Sequence, residues 1–174
     1  MRQRLRSNIA ILSKLRFISA RRRLELYPPF WLMRIKVLEL DRNWDHVRIR
    51  LPLNWVSANA AGNMYGGYQA SLADPIPALA CLRKFPGYRV ATKKLELDFV
   101  RGGNSNLVLR FDFEQKQAES IRQELDEHGR ATPCFHMTYV REDGEICTHI
   151  KNTVAIRPKG YIASRENHPD GQST

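Results

Sequence analysis

Cysteine is scarce in this sequence of 174 residues, and the three that occur stand far apart, at Cys81, Cys134 and Cys147. An odd number without a CxxC pair argues against a disulfide framework and fits a reducing compartment, so we expect a cytoplasmic protein. Cys147 and His149 are two residues apart, but two ligands do not make a metal site. The sequence therefore predicts no metal centre.

Long apolar runs are also lacking, since no stretch approaches the ~18 apolar residues that a membrane span needs. The apolar core near the N-terminus, Ile9 to Leu12, is followed at once by Ser13 and Lys14, which makes it too short for a signal peptide. A mitochondrial-type presequence stays open, because the first acid is Glu25. Hydrophobic residues make up 43% of the chain, which predicts one globular domain with a terminal extension.

Acidic residues are few, 18 against 28 Lys and Arg, which gives a net charge of +10. Residues 1–36 hold ten of the bases and a single acid, Glu25, so this segment carries +9. Residues 37–174 hold the other eighteen bases and seventeen acids, a balance of +1. A protein that coats nucleic acid is expected to carry charge across its folded body. We therefore expect no nucleic-acid partner.

The basic segment is predicted to be an amphipathic N-terminal arm over residues 1–30. Apolar residues recur every three or four positions, which predicts a helix over 7–24 that ends at Pro28 and Pro29. The apolar stripe of this helix consists of Ile9, Leu12, Leu15 and Ile18. We expect the stripe to pack on the domain. The alternative is a weak contact between the arm and an anionic membrane surface.

Residues 31–158 are predicted to form the folded domain, and the polar residues 159–174 a loose tail. Apolar and polar residues alternate in six segments, which indicates half-buried strands. These segments are 33–37, 47–53, 95–99, 107–113, 132–141 and 145–157. A long apolar helix is predicted from about Gly67 to Lys84 and a short charged one over 118–128. One helix against an antiparallel sheet is an α+β arrangement.

The most informative segment runs from Asn59 to the adjacent Gly66 and Gly67, with Asp74 further along the predicted helix. Two glycines that open a helix offer bare backbone N–H groups at its positive end, which suits an anion or a developing oxyanion. Asp74 is a candidate general base or nucleophile. The alternative is structural: Asp74-Pro75 caps a helix that starts there, and the glycines and Asn59 only form turns.

The pattern N-x-x-G-x-x-[aromatic]-G-G-x6-D resembles the hotdog-fold acyl-CoA thioesterases of the phenylacetyl and hydroxybenzoyl type. Its extended form, Gly66-Gly67 leading to Asp74-Pro75, looks most like the thioesterase-like branch called domain of unknown function 4442. The resemblance covers roughly residues 31–158. It implies a hotdog fold, an antiparallel sheet wrapped around one long central helix. The better-known members have His where this chain has Tyr65.

The resemblance also implies an activity, the hydrolysis of acyl-CoA or acyl-carrier thioesters. Backbone N–H groups of Gly66 and Gly67 would hold the oxyanion, and Asp74 would activate water or attack directly. Gly67 and Asp74 lie about 10 Å apart along a helix. The family places its pocket between subunits, which implies a homodimer or a dimer of dimers. No cofactor is implied beyond the coenzyme A of the substrate.

Candidate substrate-binding residues surround this motif. Three bases on or after the strand that follows the long helix are positioned for the phosphates of coenzyme A, although a solvated strand face explains each of them as well. The full set is Asn59, Tyr65, Ser71, Lys93, Lys94 and Arg101.

Two other functions on the same fold stay open. The first is a non-catalytic acyl-thioester-binding protein, in which Asp74 is only a helix cap. The second is a hydratase-type lyase, which would need a pair of His and acid that the sequence does not reveal. None of the five His residues pairs with Ser or Cys in a way that suggests a catalytic triad.

Overall fold

The computed structural model of the chain describes residues 19–160. Two short helices come first, then two strands, two consecutive helices, two strands, one helix and two strands. In chain order they are α1 Ala20–Glu25, α2 Pro28–Leu32, β1 Lys36–Leu40, β2 His46–Leu51, α3 Gly66–Ala73, α4 Pro75–Lys84, β3 Tyr88–Phe99, β4 Leu107–Asp112, α5 Gln115–His128, β5 Cys134–Val140 and β6 Ile146–Pro158.

The six strands form one antiparallel sheet in the order β1-β2-β4-β5-β6-β3. Strand β3 is one edge, and it pairs with β6 from Tyr88 opposite Pro158 to Phe99 opposite Thr148. A register shift between Thr92 and Lys94 leaves Lys93 as an extra residue in β3. The predicted α+β arrangement with an antiparallel sheet is confirmed.

Helices α3 and α4 pack on one face of the sheet and together form the predicted central helix. Strands β2 and β4 pair in register and send alternate side chains into the same core. The fully buried residues that meet there include Leu72, Ile76, Ala80, Ile49, Leu51, Leu107, Leu109 and Phe111. The opposite face of the sheet is polar, because the alternate positions of β2 and β4 carry His46, Arg48, Arg110 and Asp112.

The N-terminal region differs from the prediction. Pro28 and Pro29 follow the end of α1 and also occupy the first helical positions of α2. Strand β1 begins at Lys36 rather than at Met33. The predicted boundary at residue 30 falls inside α2, and Leu24 and Phe30 lie in the main core. The apolar stripe from Ile9 to Ile18 and most of the predicted tail, residues 161–174, lie outside the described residues.

The later elements follow the predicted pattern with different bounds. Helix α5 begins three residues earlier than predicted, at Gln115, and ends at Gly129, whose φ of +67° is in the left-handed region. Strand β3 is longer than the predicted segment 95–99, because its first half is a half-exposed edge without a clean apolar alternation.

The fold predicts unequal reactivity of the three thiols. Cys81 and Cys147 are buried and Cys134 is exposed. Burial raises the pKa of Cys81 to about 12 and also raises that of Cys147. We expect one thiol of the native chain to react rapidly with Ellman's reagent, and all three to react in denaturant. Cys134→Ser should remove the rapid phase. Rapid reaction of two or three native thiols would contradict the packing of α4 and β6.

Candidate functional site

The loop before α3 is organised by Asn59. Its Oδ1 accepts hydrogen bonds from the backbone N–H groups of Ala61 at 3.0 Å and Asn63 at 3.1 Å. Gly62, inside this turn, has a φ of +74°, which favours glycine. Asn59 is thus a turn former, as the structural alternative predicts. Its Nδ2 donates no hydrogen bond within residues 19–160, so the amide still has donors to offer a ligand.

A second glycine loop supports the first. The backbone N–H of Met64 donates to the carbonyl of Gly103 at 2.8 Å. A Cβ on Gly102 would lie 2.7 Å from Oδ1 of Asn63, so the two loops approach each other closely because Gly102 has no side chain. The sequence predicts this segment only as a turn, and the contact adds a role for it in holding the site.

The helix start exposes two backbone donors. Tyr65 precedes α3, donates its N–H to Ser57 O at 2.8 Å and accepts a hydrogen bond from Tyr68 N at 3.1 Å. The N–H groups of Gly66 and Gly67 donate to no group in the described part of the chain. They therefore stay available at the positive end of the eight-residue α3. This is the arrangement that an oxyanion requires.

Two aromatic rings stand over the glycines. A Cβ on Gly66 would lie 3.0 Å from Cζ of Phe99, and a Cβ on Gly67 would lie 2.4 Å from Cε1 of Tyr65. Phe99 is 53% exposed and Tyr65 is 54% exposed. The backbone donors therefore lie beside an apolar surface that is open to solvent.

Asp74 lies at the junction of α3 and α4 in a helical conformation, with φ −52° and ψ −55°. Its N–H donates to Ala70 O at 2.9 Å, so the helix runs through this residue. Its carboxylate is exposed and makes no capping hydrogen bond. The alternative in which Asp74 caps a new helix therefore lacks the contact that defines a cap.

The backbone at Asp74 is held from the sheet. Pro77 has no N–H to donate to Ala73 O, and Nδ2 of Asn152 donates to that carbonyl at 3.3 Å and to Asp74 O at 2.9 Å. Oγ1 of Thr92 also donates to Asp74 O, at 2.8 Å. Pro77 leaves the Ala73 carbonyl without its helical donor, and the side chain of Asn152 takes that place.

Asn152 is the residue that sequence reasoning missed. It is fully buried, and its Oδ1 has no hydrogen-bond partner among the described residues. The signal was present, because Asn152 interrupts a row of inward apolar residues in β6 formed by Ile150, Val154 and Ile156. A lone amide in such a row is expected to have a specific partner.

A second buried polar contact holds the first turn of α3. The hydroxyl of Tyr139 donates to Gln69 O at 2.8 Å, and Oγ1 of Thr148 donates to Oε1 of Gln69 at 2.7 Å. All three residues are buried. Burial raises the pKa of Tyr139 well above its ordinary value, so the phenol remains a donor. Strands β5 and β6 thereby fix the direction of the helix start.

The predicted site residues form two groups. Asn59, Tyr65, Gly66 and Gly67 meet at the start of α3, whereas Asp74 lies eight residues from Gly66 on the same helix, about 12 Å along its axis. Ser71 is exposed on the helix between these groups. One chain therefore does not bring the carboxylate to the backbone donors.

The three predicted bases have different surroundings. Lys93 and Lys94 are exposed on the edge strand β3, where Nζ of Lys94 lies 2.9 Å from Oε1 of Glu96. The guanidinium of Arg101 turns to the β5–β6 hairpin, donates to Ile146 O at 3.2 Å and lies 3.5 Å from Glu145. Arg101 and Lys94 are thus both engaged with an acid, and Lys93 is in no ion pair with a residue of the range 19–160.

A histidine–carboxylate pair does exist, on the other face of the sheet. Nδ1 of His46 lies 2.8 Å from Oδ1 of Asp112, and Nη2 of Arg48 donates to the same carboxylate at 2.7 Å. The hydrogen bond to Asp112 raises the pKa of His46. Partial burial alone would raise the pKa of Asp112. The hydrogen bonds from His46 and Arg48 outweigh this effect, so the pKa lies below its ordinary value. The central helix lies on the opposite face, so this pair does not serve the glycine site.

Residues 18–156 match the family model described as a domain of unknown function, DUF4442. The chain belongs to the DUF4442 family. No curated protein matches it in sequence. Among residues 19–160, no cluster of three or more His, Cys, Asp or Glu side chains could hold a metal ion.

Solved structures with this fold come from several bacteria. A protein of unknown function from Pseudomonas aeruginosa, described as a probable thioesterase, is 22% identical over 79% of this chain and 93% of that chain, with a TM-score of 0.71. The PaaI protein of the E. coli phenylacetic acid degradation operon is 18% identical over 80% and 90%, with a TM-score of 0.58. A thioesterase from Haemophilus influenzae is 16% identical over 78% and 83%, with a TM-score of 0.54.

The family match confirms the resemblance to domain of unknown function 4442, and these likenesses confirm the hotdog fold. In the described part of the chain, the helices are all too short or too polar to cross a membrane.

The contacts of Asn152 predict its contribution to stability. Asn152→Ala leaves the buried carbonyl of Ala73 without a donor, which should lower the free energy of unfolding by about 1–3 kcal/mol. Urea denaturation measures this change. Lys151→Ala, at the exposed neighbouring position of β6, is the control and should change stability by less than about 0.5 kcal/mol. Equal stability of the two variants would remove Asn152 from the support of the helix.

Proposed function

We propose that the protein hydrolyses acyl thioesters of coenzyme A or of an acyl carrier. One observation supports this above the others. The free N–H groups of Gly66 and Gly67 lie on the same helical segment as the carboxylate of Asp74, which is exposed and forms no helix cap. The chain belongs to the DUF4442 family, and the solved structures that share its fold include a thioesterase. No metal or bound cofactor takes part, and coenzyme A enters only as part of the substrate.

The backbone donors stabilise the charge that develops on the thioester oxygen. When water attacks the carbonyl carbon, the oxygen becomes an anion, and the N–H groups of Gly66 and Gly67 donate hydrogen bonds to it. Donors fixed at a helix start need no reorganisation during the reaction, which lowers the barrier. Tyr65 and Phe99 provide an apolar surface beside these donors, and an acyl chain bound against it would displace water from around the anion.

Asp74 takes the proton of the attacking water. The tetrahedral intermediate then collapses, the carbon–sulfur bond breaks, and the leaving thiolate receives the proton from the Asp74 carboxyl group. Direct attack by Asp74 would give a mixed anhydride that a second step hydrolyses to the same acid and thiol. Tyr65 does not replace the His of related enzymes as a base, because a phenol oxygen accepts a proton far less readily than an imidazole nitrogen does.

The reaction requires two subunits. The separation of Gly66 and Asp74 along the helix prevents both from touching one carbonyl group within a chain. A homodimer or a dimer of dimers would combine the donors of one subunit with the carboxylate of the other. The open edge of β3 and the exposed apolar residues Trp55, Phe99 and Val100 support such an association.

The substrate phosphates would meet the exposed bases of β3. Lys93 and Lys94 are exposed and follow Thr92, which contacts the Asp74 backbone, and Lys94 would have to leave Glu96 to meet a phosphate. Asn59 offers its Nδ2, Ser71 lies on the exposed side of the helix, and Arg101 contributes if it leaves Glu145. The reaction would take place in the cytoplasm, where acyl thioesters are made and used.

One observation favours a second function, the binding of acyl thioesters without hydrolysis. Tyr65 stands where better-known relatives carry His, so a proton-transfer group of those enzymes is missing here. Such a protein would still use the glycine donors and the apolar surface. The two functions differ in what Asp74 does.

Removal of the Asp74 charge tests the reaction. Asp74→Asn keeps the shape of the side chain and should lower kcat by roughly 10²–10⁴-fold, because the general base is lost. Release of coenzyme A is followed with a thiol reagent across short, long and aromatic acyl-CoAs. Asp98→Asn, the same change on the exposed part of β3, should leave kcat unchanged. An active wild-type enzyme with unchanged turnover in Asp74→Asn would exclude this mechanism.

Mixed oligomers test the shared pocket. Gly66→Val places a side chain against Phe99 at the oxyanion position, and Asp74→Asn removes the base, so each variant alone should be inactive. Random mixing in a dimer restores one intact pocket in half of the molecules, about a quarter of the wild-type sites. We expect activity near that level after denaturation and joint refolding. Confirmed mixed dimers without any activity would place the pocket within one chain.

A further inference from the structure

We propose a second binding site, separate from the glycine site, for an anionic amphiphile with a single acyl chain, such as a fatty acid. The site is a groove of about 760 Å³ between α1, α2, the β1–β2 turn and α4, here called the N-terminal groove. Its volume falls within the usual range of small-ligand pockets. Six apolar or aromatic side chains form its walls: Leu24, Tyr27, Phe30, Leu40, Trp44 and Leu79.

The rim of the N-terminal groove is positively charged. It carries four arginines, Arg21, Arg23, Arg42 and Arg83, and one acid, Asp41. The Asp41 carboxylate accepts hydrogen bonds from the backbone N–H groups of His46 at 2.9 Å and Asn43 at 3.1 Å, so it serves the β1–β2 turn.

The rim arginines are free to bind an anion. Arg21 donates to Leu38 O, and Nε of Arg83 donates to Arg42 O at 3.4 Å, so these two contacts are to neutral carbonyls. The guanidinium groups of Arg23 and Arg42 contact no partner within residues 19–160. None of the four forms an ion pair with a described residue. An apolar groove with uncompensated guanidinium groups at its mouth suits an acyl chain with a carboxylate or phosphate head group.

The N-terminal groove lies on a different side of the central helix from the candidate active site. Pro75, Leu79 and Arg83, each four residues from the next, present one side of α4 to the groove. Asp74 is outside this row, and its carbonyl contacts Thr92 on β3, the sheet edge opposite β1. The groove is therefore an independent site, and the proposal does not depend on thioester hydrolysis.

The segment of this chain that precedes the groove is a poor occupant. Residues 1–18 join the groove directly at Ser19, and they carry an apolar stripe. They also carry five bases and no acid, namely Arg2, Arg4, Arg6, Lys14 and Arg16. Like charges would oppose their insertion beneath the arginine rim. A ligand with an acyl chain and a negative charge would instead contact the apolar walls and pair with the arginines of the rim.

Binding is measured on the full chain by fluorescence of 11-(dansylamino)undecanoic acid and its displacement by saturated fatty acids of eight to sixteen carbons. Affinity should rise roughly fourfold for each methylene until the groove is filled. Fatty alcohols of equal length should bind at least about tenfold more weakly, since they lack the charge. Lysophosphatidic acid shows whether phosphate replaces carboxylate, and displacement by either anion supports the site. Absence of displaceable binding, or equal binding of alcohol and acid, would overturn the proposal.

Matched substitutions locate the binding. Leu79→Trp fills the groove and should weaken fatty acid binding at least about tenfold, because ligand and indole compete for one volume. Leu82→Trp is the control, since Leu82 lies on the same helix, is 44% exposed and does not line the groove. Arg23→Glu should weaken the acid and spare the alcohol, whereas Arg110→Glu on the polar sheet face should change neither. Equal effects of a variant and its control, in folded proteins, would overturn the assignment.

One further variant tests the competing occupant. Leu12→Ser combined with Leu15→Ser weakens the apolar stripe of residues 1–18 in the full chain. Unchanged fatty acid affinity is expected if the groove is open to ligand. A gain of about tenfold or more would mean that the segment itself occupies the groove, which would refute the proposal.

Discussion

The course of the central helix through Asp74 depends on a buried side chain that replaces a hydrogen bond removed by proline. Pro77 deprives Ala73 O of its helical donor, and the buried amide of Asn152 takes that place and also reaches Asp74 O. Because a buried carbonyl without a partner costs about 1–3 kcal/mol, the same sequence without Asn152 would favour a break at this point. With the amide present, the helix continues and the carboxylate points to solvent.

Both ends of the candidate site are fixed by the same part of the sheet. Tyr139 on β5 and Thr148 on β6 hold the first turn of α3 through Gln69, and Asn152, four residues further along β6, holds the junction with α4. The N–H donors and the carboxylate therefore belong to one rigid unit with a constant separation. In the proposed mechanism, this constant separation is the reason why a second chain has to bring the two groups together.

The parts of the fold that sequence could predict are those encoded locally. Alternation of apolar and polar residues predicted most of the strands, and the charged segment 118–128 predicted most of α5, because each pattern depends on neighbouring residues. The start of α2 was missed because Pro28 and Pro29 are equally suited to end one helix and begin another. The partners Asn152 and Asp74 are 78 residues apart, Tyr139 and Gln69 are 70, and His46 and Asp112 are 66. Only the folded sheet brings such pairs together.

Thr92 connects the edge strand β3 to the backbone of Asp74, so a change at this edge of the sheet can affect the candidate site. Its hydroxyl donates a hydrogen bond to Asp74 O, while no other strand within residues 19–160 pairs with the outer side of β3. A strand added along that edge would restrict the motion of β3 and, through Thr92, of the aspartate. In the proposed dimer, association would then steady the Asp74 backbone and also bring in the donors of the second subunit, and dilution would reverse both effects. Protein concentration would then be a natural variable of the proposed activity.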